Sequence, residues 1–296
     1  AYVKDLITPG VYKLSNGVAA PITTFTERNK RVNSVYGTAT LSYANKIFLD
    51  VTGRNDWSST LPSGNNSFFY PSVSTSFILS DLLRLPEQIS FAKLRASWAQ
   101  VGNDTDPYKT AKYYNTSAFP GSASVSPTLY NARFKPEISN SIEVGLDWRM
   151  FKQRFGLDLA FYNNITRNQI LDVPMDQTTG YTKATMNSGK VRNRGIELQL
   201  DGTPVKTKNF TWNSTFTWAK NYNKVLSLAA GLTDGQTIAY TGGTNCALIA
   251  KVGGSIGDIY GYKLKRAPDG QVVWKDGITA RTTEFEYVGN AYPAWK

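Results

Sequence analysis

Ser141-Ile142-Glu143-Val144-Gly145-Leu146-Asp147-Trp148-Arg149 alternates polar and apolar residues without a break. Successive side chains of a strand point to opposite faces, so a period of two builds a sheet that is apolar on one side and charged on the other. Seven further stretches carry the same alternation. The apolar face can be hidden in the core of a soluble sandwich or turned toward lipid around a wet lumen, and periodicity alone leaves both open.

Strand length and spacing point to the membrane. Soluble strands average about five or six residues, whereas a tilted membrane strand needs about nine to eleven. The runs here are long. They cover 33–44 and 46–56, then 69–80, 90–101 and 140–150, a sixth run with Leu157, Leu159 and Phe161 on one face, a seventh over 190–201, and an eighth with Phe210, Trp212, Phe216 and Trp218 on one face. The first two join through a turn at Asn45 and Lys46, and 151–153 and 202–209 read as tight turns. By contrast, about forty residues rich in Gly, Asn, Ser, Tyr and Pro fill 102–139, and 174–188 form another loop. Tight turns alternating with long loops is the asymmetry of outer-membrane barrels. Trp148, Phe151 and Phe155 crowd one turn, and Phe210 and Trp212 another. Aromatics gather in this way at membrane interfaces, although they are common in any strand.

Composition removes several function classes. Histidine is absent, which takes away the usual general base, the usual catalytic triad and most zinc sites. The single cysteine, Cys246, excludes an internal disulfide and a thiolate cluster. The formal net charge of +11 comes from Lys and Arg scattered through the chain with no dense basic run, so it argues against nucleic acid and suits anionic lipid headgroups or a lumen for acidic solutes. Gly253-Gly254-Ser255-Ile256-Gly257 lacks the Lys and Ser/Thr of a phosphate loop and reads as a turn. The Asp-Gly pairs at 201, 234, 269 and 276 read as turns too, Asp269-Gly270 as the tip of a hairpin between 260–266 and 271–275. The chain opens without an apolar leader and closes without a terminal strand, so residues 1–30 are expected to continue an upstream strand or loop and 284–296 to lead toward another strand.

Ordered motifs carry a resemblance. They are Gly53-Arg54-Asn55-Asp56-Trp57-Ser58-Ser59-Thr60-Leu61-Pro62 followed by Phe69-Tyr70-Pro71-Ser72-Val73-Ser74, then Phe134-Lys135-Pro136-Glu137 leading into Ile142 to Asp147. Phe161-Tyr162-Asn163, Thr166 to Leu171, Asn187-Ser188-Gly189, Asn193-Arg194-Gly195-Ile196-Glu197-Leu198, Asn221 to Leu226 and Val252 to Tyr262 follow in order. From about residue 31 to 296 the chain resembles the TonB-linked (TonB-dependent) outer-membrane receptors of the SusC/RagA type. The resemblance implies an all-β, antiparallel transmembrane β-barrel, of which this chain is a partial section of about eight to ten strands in a barrel of about twenty-two. The whole of 1–296 then belongs to the barrel domain, with the plug domain, the TonB box and the final strands lying outside it.

What the resemblance implies for function is TonB-dependent active import of an oligosaccharide or peptide, in a multi-pass barrel of a Gram-negative outer membrane. The expected partners are a SusD-like surface lipoprotein acting as a lid, the TonB complex and outer-membrane lipid. No enzyme activity, metal or cofactor is expected. Arg54, Asp56, Glu143, Arg194 and Glu197 fall at strand ends or on the polar face and are expected to face the lumen or plug, where a buried charge needs a partner or water. Gly189 and Gly195 are read as a bulge or a close backbone approach. The loops 108–130 and 221–244, with Tyr108, Tyr113, Tyr114, Tyr130, Tyr222 and Tyr240, are candidate solute or lid contacts, because aromatics stack on sugar faces and amides satisfy hydroxyls. The alternative is a soluble all-β carbohydrate-binding module, stable as a monomer without detergent. A partial barrel wall would expose two unpaired strand edges that lipid cannot satisfy.

Overall fold

A computed structural model describes residues 2–19, 27–116, 121–229, 235–241, 245–275, 278–282 and 284–291. Residues 1–30 and 31–296 form two units. In the first, a bridge joins Leu6 to Gly17 and a 3-10 turn covers Leu14–Asn16. The Asn16 side chain stitches this unit, accepting from the Thr8 amide at 3.1 Å and donating to the Thr8 and Val11 carbonyls at 2.8 and 2.7 Å.

The second unit is built on one sheet of eight strands: β1 Val32–Tyr43, β2 Ile47–Ser58, β3 Ser67–Ile78, β4 Ile89–Asn103, β5 Glu137–Met150, β6 Phe155–Arg167, β7 Lys190–Lys206 and β8 Thr211–Ser227. Each pairs antiparallel with its neighbour in sequence, an uninterrupted meander. The strands run from 12 to 17 residues, well beyond soluble length. β7 continues to Lys206, past the expected turn at residue 202, because a one-residue bulge lets Gly202 oppose Ser214 while Val205 opposes Trp212. The extra residue keeps Val205 on the face of Leu200, and Pro204, which has no N–H to offer a ladder, sits inside it. At the 44–46 turn Ala44 and Asn45 take φ of 52° and 55°, the left-handed geometry of tight hairpins.

Register sorts every side chain to one of two faces, because directly opposed residues share a face. One face carries Asp50, Arg54 and Asp56 of β2, Ser72, Ser74 and Ser76 of β3, Lys93 and Arg95 of β4, Glu143, Asp147 and Arg149 of β5, Asp158 of β6 and Glu197 and Asp201 of β7. The other carries Leu41, Leu49, Val73, Leu94, Val144, Leu159, Leu198 and Phe216 at successive strands. Among the described residues that apolar face is uncovered: Leu41 is 64% exposed, Val144 43%, Phe161 47% and Phe216 57%. A sandwich would bury it against a second layer. The buried clusters instead lie at the loop end, Leu61 with Phe68 and Phe134, and Val191 with Val225 and Ala250. Among the described residues no helix is long and apolar enough to cross a membrane, a statement that does not bear on strands.

The long connections are not plain loops. Ile170–Pro174 pairs antiparallel with Lys183–Asn187, which pairs parallel with Thr128–Leu129, so the 104–136 and 168–189 connections share a small sheet. Gln236–Thr241, Cys246–Ala250, Asp258–Gly261 and Glu286–Asn290 form another. Arg266 bridges Val272 around Gly270 (φ 85°), the expected hairpin, whereas the Asp-Gly pairs at 234 and 276 lie outside the fully described residues.

Candidate functional site

The polar face is organised by arginines that cross over glycines. Arg95 of β4 reaches over Gly145 of β5 and forks onto Asp158 of β6, at 2.8 and 3.2 Å, with Glu143 3.9 Å from its Nε. One strand further on, Arg149 of β5 reaches over Gly156 of β6 to Asp201 of β7 at 3.2 Å, while its Nε lies 2.8 Å from Asp147. A Cβ on either glycine would fall inside the guanidinium. Tyr162 of β6 repeats the crossing over Gly195 of β7 and donates to Asn221 of β8 at 3.2 Å. Asp147 and Asp158 are directly opposed, an unfavourable pair of like charges that the two arginines divide between them.

Near the loop end, Arg54 donates to Asp56 at 2.8 Å and to Ser34 at 3.0 Å, and the Tyr70 hydroxyl donates to the other Asp56 oxygen at 2.5 Å. Asp56 is buried, so this pairing satisfies a charge largely withdrawn from water. Tyr70 stacks on Phe68, which packs against the fully buried Phe134. The family motifs therefore have a structural sense. Phe134 anchors the long loop, Asn187 clamps the Lys135 backbone through both N–H and C=O at 2.9 and 2.8 Å, and Glu137 accepts from the Ile170 amide at 2.6 Å. The Gly253–Gly257 segment is a turn held on β8: Asn223 accepts from Ser255 Oγ and the Ile256 amide. Gly189 has φ of 73° beside the Ser227 carbonyl, and Gly195 lies under the Tyr162 ring, both close approaches.

Of the expected polar-face charges, Arg54, Asp56, Glu143 and Glu197 share that face. Arg194 does not. It is opposed to Asn163 and Tyr222 and stands on the face of Ile196 and Leu198, because it lies an odd number of residues from Glu197. The tyrosines likewise divide. Tyr113 and Tyr130 stack at 5.4 Å with their hydroxyls 3.0 Å apart, beside the shared loop sheet. Tyr114 is 74% exposed in the short hairpin Tyr114–Thr116 with Ala123–Val125, and Tyr108 is exposed with φ of 67°. Tyr222 belongs to strand β8, not to a loop, and points to the apolar side. Tyr240 lies in Gln236–Thr241, opposite Ala247, with its side chain outside the described residues.

Around the tyrosine pair, Lys183 binds Asp172 at 2.7 Å and Thr185 donates to it at 2.6 Å. Burial pushes the Asp172 carboxyl up, but these two partners outweigh it and hold the group below the usual carboxylate range. Lys112 stands 5.5 Å over the Tyr181 ring, and the Tyr181 hydroxyl keeps its ammonium protonated to higher pH than usual. Neither this cluster nor any other among the described residues groups His, Cys, Asp and Glu as a metal would need. The arrangement can present stacking surfaces, hydroxyls and charge to a solute.

An uncovered apolar face, a charged opposite face and tight turns alternating with long loops define a section of a transmembrane β-barrel. The family described as TonB dependent receptor-like, beta-barrel matches residues 4–295, and the chain belongs to it. This is a family of bacterial outer-membrane receptors rather than enzymes. The chain is 33% identical over 207 residues to TonB-dependent receptor P26 of Formosa agariphila, covering 67% of the chain and 21% of that receptor. To TonB-dependent receptor SusC of Bacteroides thetaiotaomicron it is 26% identical over 230 residues, covering 71% of the chain and 22% of the relative. It therefore spans about a fifth of the length of these curated relatives. The structure of the RagAB peptide transporter matches its fold with a TM-score of 0.71 at 20% identity, over 94% of this chain and 32% of that one.

Proposed function

We propose that this chain is a section of the wall of an active importer, taking an oligosaccharide or peptide across the outer membrane under the drive of the TonB complex. A SusD-like lipoprotein captures the solute at the surface, and the plug and the TonB box are supplied by other parts of the receptor. The observation that carries this reading is the segregation of carboxylates: all eight on the strands, Asp50, Asp56, Glu137, Glu143, Asp147, Asp158, Glu197 and Asp201, are on one side of the sheet. That side suits a water-filled lumen and the other suits lipid. The Tyr113–Tyr130 stack at the loop end is the proposed solute contact, and Arg54, Asp56, Glu143 and Glu197 are the proposed lumen or plug-facing charges. The match in fold to the RagAB peptide transporter supports peptide as one cargo class. The soluble carbohydrate-binding module is disfavoured by the uncovered apolar face.

The test is purification of the full-length receptor from its source membrane, with uptake of candidate oligosaccharides and peptides in cells with and without TonB. The reading expects detergent-dependent extraction, a copurifying lipoprotein and TonB-dependent uptake. A detergent-free monomer would overturn it.

A further inference from the structure

The apolar face of the eight strands bears no carboxylate, and its cations are not scattered. Arg167, Lys190, Arg192, Arg194, Lys220 and Lys224 form one patch at the loop end of β6–β8, in register as Arg167 beside Lys190, Arg192 beside Lys224, Arg194 beside Tyr222, and Ile196 beside Lys220. Directly below lie Ile196, Leu198, Leu200, Phe216 and Trp218, the apolar band itself. Among the described residues none of the six forms a salt bridge, although the chain supplies carboxylates freely on the other face. Arg192 Nε is buried with no hydrogen-bond partner. Lys220 stands 5.1 Å over the Tyr222 ring, which holds its ammonium at the level where the band ends.

A cation on a lipid-facing surface is costly at mid-bilayer and favourable only where it meets the headgroups. Long loops mark the outer end of a barrel, so this patch meets the outer leaflet. We propose that it binds the phosphate groups of an anionic glycolipid or phospholipid of that leaflet, with Arg192 and Arg194 forking onto phosphate oxygens and Lys220 and Lys224 adding point charge. Charge complementarity selects this occupant over a protein: six like charges with no acidic counterpart, set on an apolar band, match an acyl chain capped by phosphate. The proposal rests on the barrel reading, since it requires this face to meet lipid.

The experiment uses the full-length receptor extracted in mild detergent, with bound lipid phosphate measured per folded barrel and heat-modifiable migration on gels reporting the folded barrel independently. The quadruple variant Arg192→Gln, Arg194→Gln, Lys220→Gln, Lys224→Gln is compared with Lys263→Gln, Lys265→Gln, Arg266→Gln, which removes three cations beyond the sheet. Removing four cations that each attract anionic headgroups should lower bound lipid phosphate by about tenfold or more, with migration unchanged. The second variant should retain it. Equal lipid in both variants, equal loss in both, or loss of a copurifying protein in place of lipid would overturn the proposal. A receptor that needs no detergent would instead overturn the barrel reading beneath it.

Discussion

Arg95 grips Asp158 two strands away, and it can do so only because Gly145 on the strand between leaves its path open. Arg149 crosses Gly156 to Asp201 in the same manner one strand along, so the wall of charge is continuous across β4 to β7 and does not consist of isolated pairs. A glycine in a strand interior weakens it intrinsically, and here the crossing fork compensates.

Replacing Gly145 by Val should therefore displace the Arg95 guanidinium and break its fork on Asp158. The expected cost is about 1 to 3 kcal/mol in denaturant unfolding of the full-length receptor. Gly37→Ala, where a Cβ meets nothing within 4 Å, is the control and should shift stability by less than about 0.5 kcal/mol. Equal effects would remove the crossing from the account.

Phe134 is fully buried between Leu61 and Phe68. Phe134→Ala should cost about 3 to 5 kcal/mol locally, releasing the 104–136 connection from the sheet end. Hydrogen exchange at Thr128 and Leu129 should quicken while the centre of β5 stays protected.

Asp172 is held below its usual value of 3.8 by Lys183 and Thr185. A depressed carboxyl contributes stability that is complete above its unfolded value and lost as pH falls through the folded one. Loop-sheet protection should thus be flat from neutral pH down to about 5 and weaken only below about 4. Asp172→Asn should remove this acid transition and loosen the sheet at neutral pH; a wild-type transition near pH 6 would contradict it.

If the Tyr113–Tyr130 stack meets solute, Tyr113→Ala should weaken solute binding several-fold, from the roughly 0.5 to 1.5 kcal/mol of an aromatic contact. Tyr130→Phe keeps the ring and removes only the hydroxyl bond, so titration calorimetry should show a smaller loss. Unchanged affinity in both would assign the pair to loop structure alone.

The eight strands were legible because their faces obey a period of two that neighbours in sequence reinforce. The same parity places Glu143 with Asp147, and it places Arg194 with Ile196 against Glu197, although its charge alone suggests the polar face. What no local pattern reveals is the docking of loops. The Asn187 clamp on Lys135 spans 52 residues, and the parallel pairing of Lys183–Ala184 with Thr128–Leu129 joins two connections that read separately as irregular. The bulge at Pro204 was hidden for a similar reason, since an extra residue looks like the end of a strand until its partner is known. Tyr222 reads as loop in the sequence because Asn and Lys interrupt β8 above the apolar band, where the strand continues beyond the membrane's need.

The central claim is that the two faces of this sheet meet different solvents. It is tested most directly by spin labels placed singly from Gly156 to Asn163 along β6 in the full-length receptor, reconstituted in lipid with Cys246 replaced by Ser. The account predicts that labels at 157, 159 and 161 collide with oxygen dissolved in the bilayer and labels at 158, 160 and 162 with a water-soluble relaxant, alternating without a break. Uniform accessibility, or alternation in the opposite phase, would contradict it.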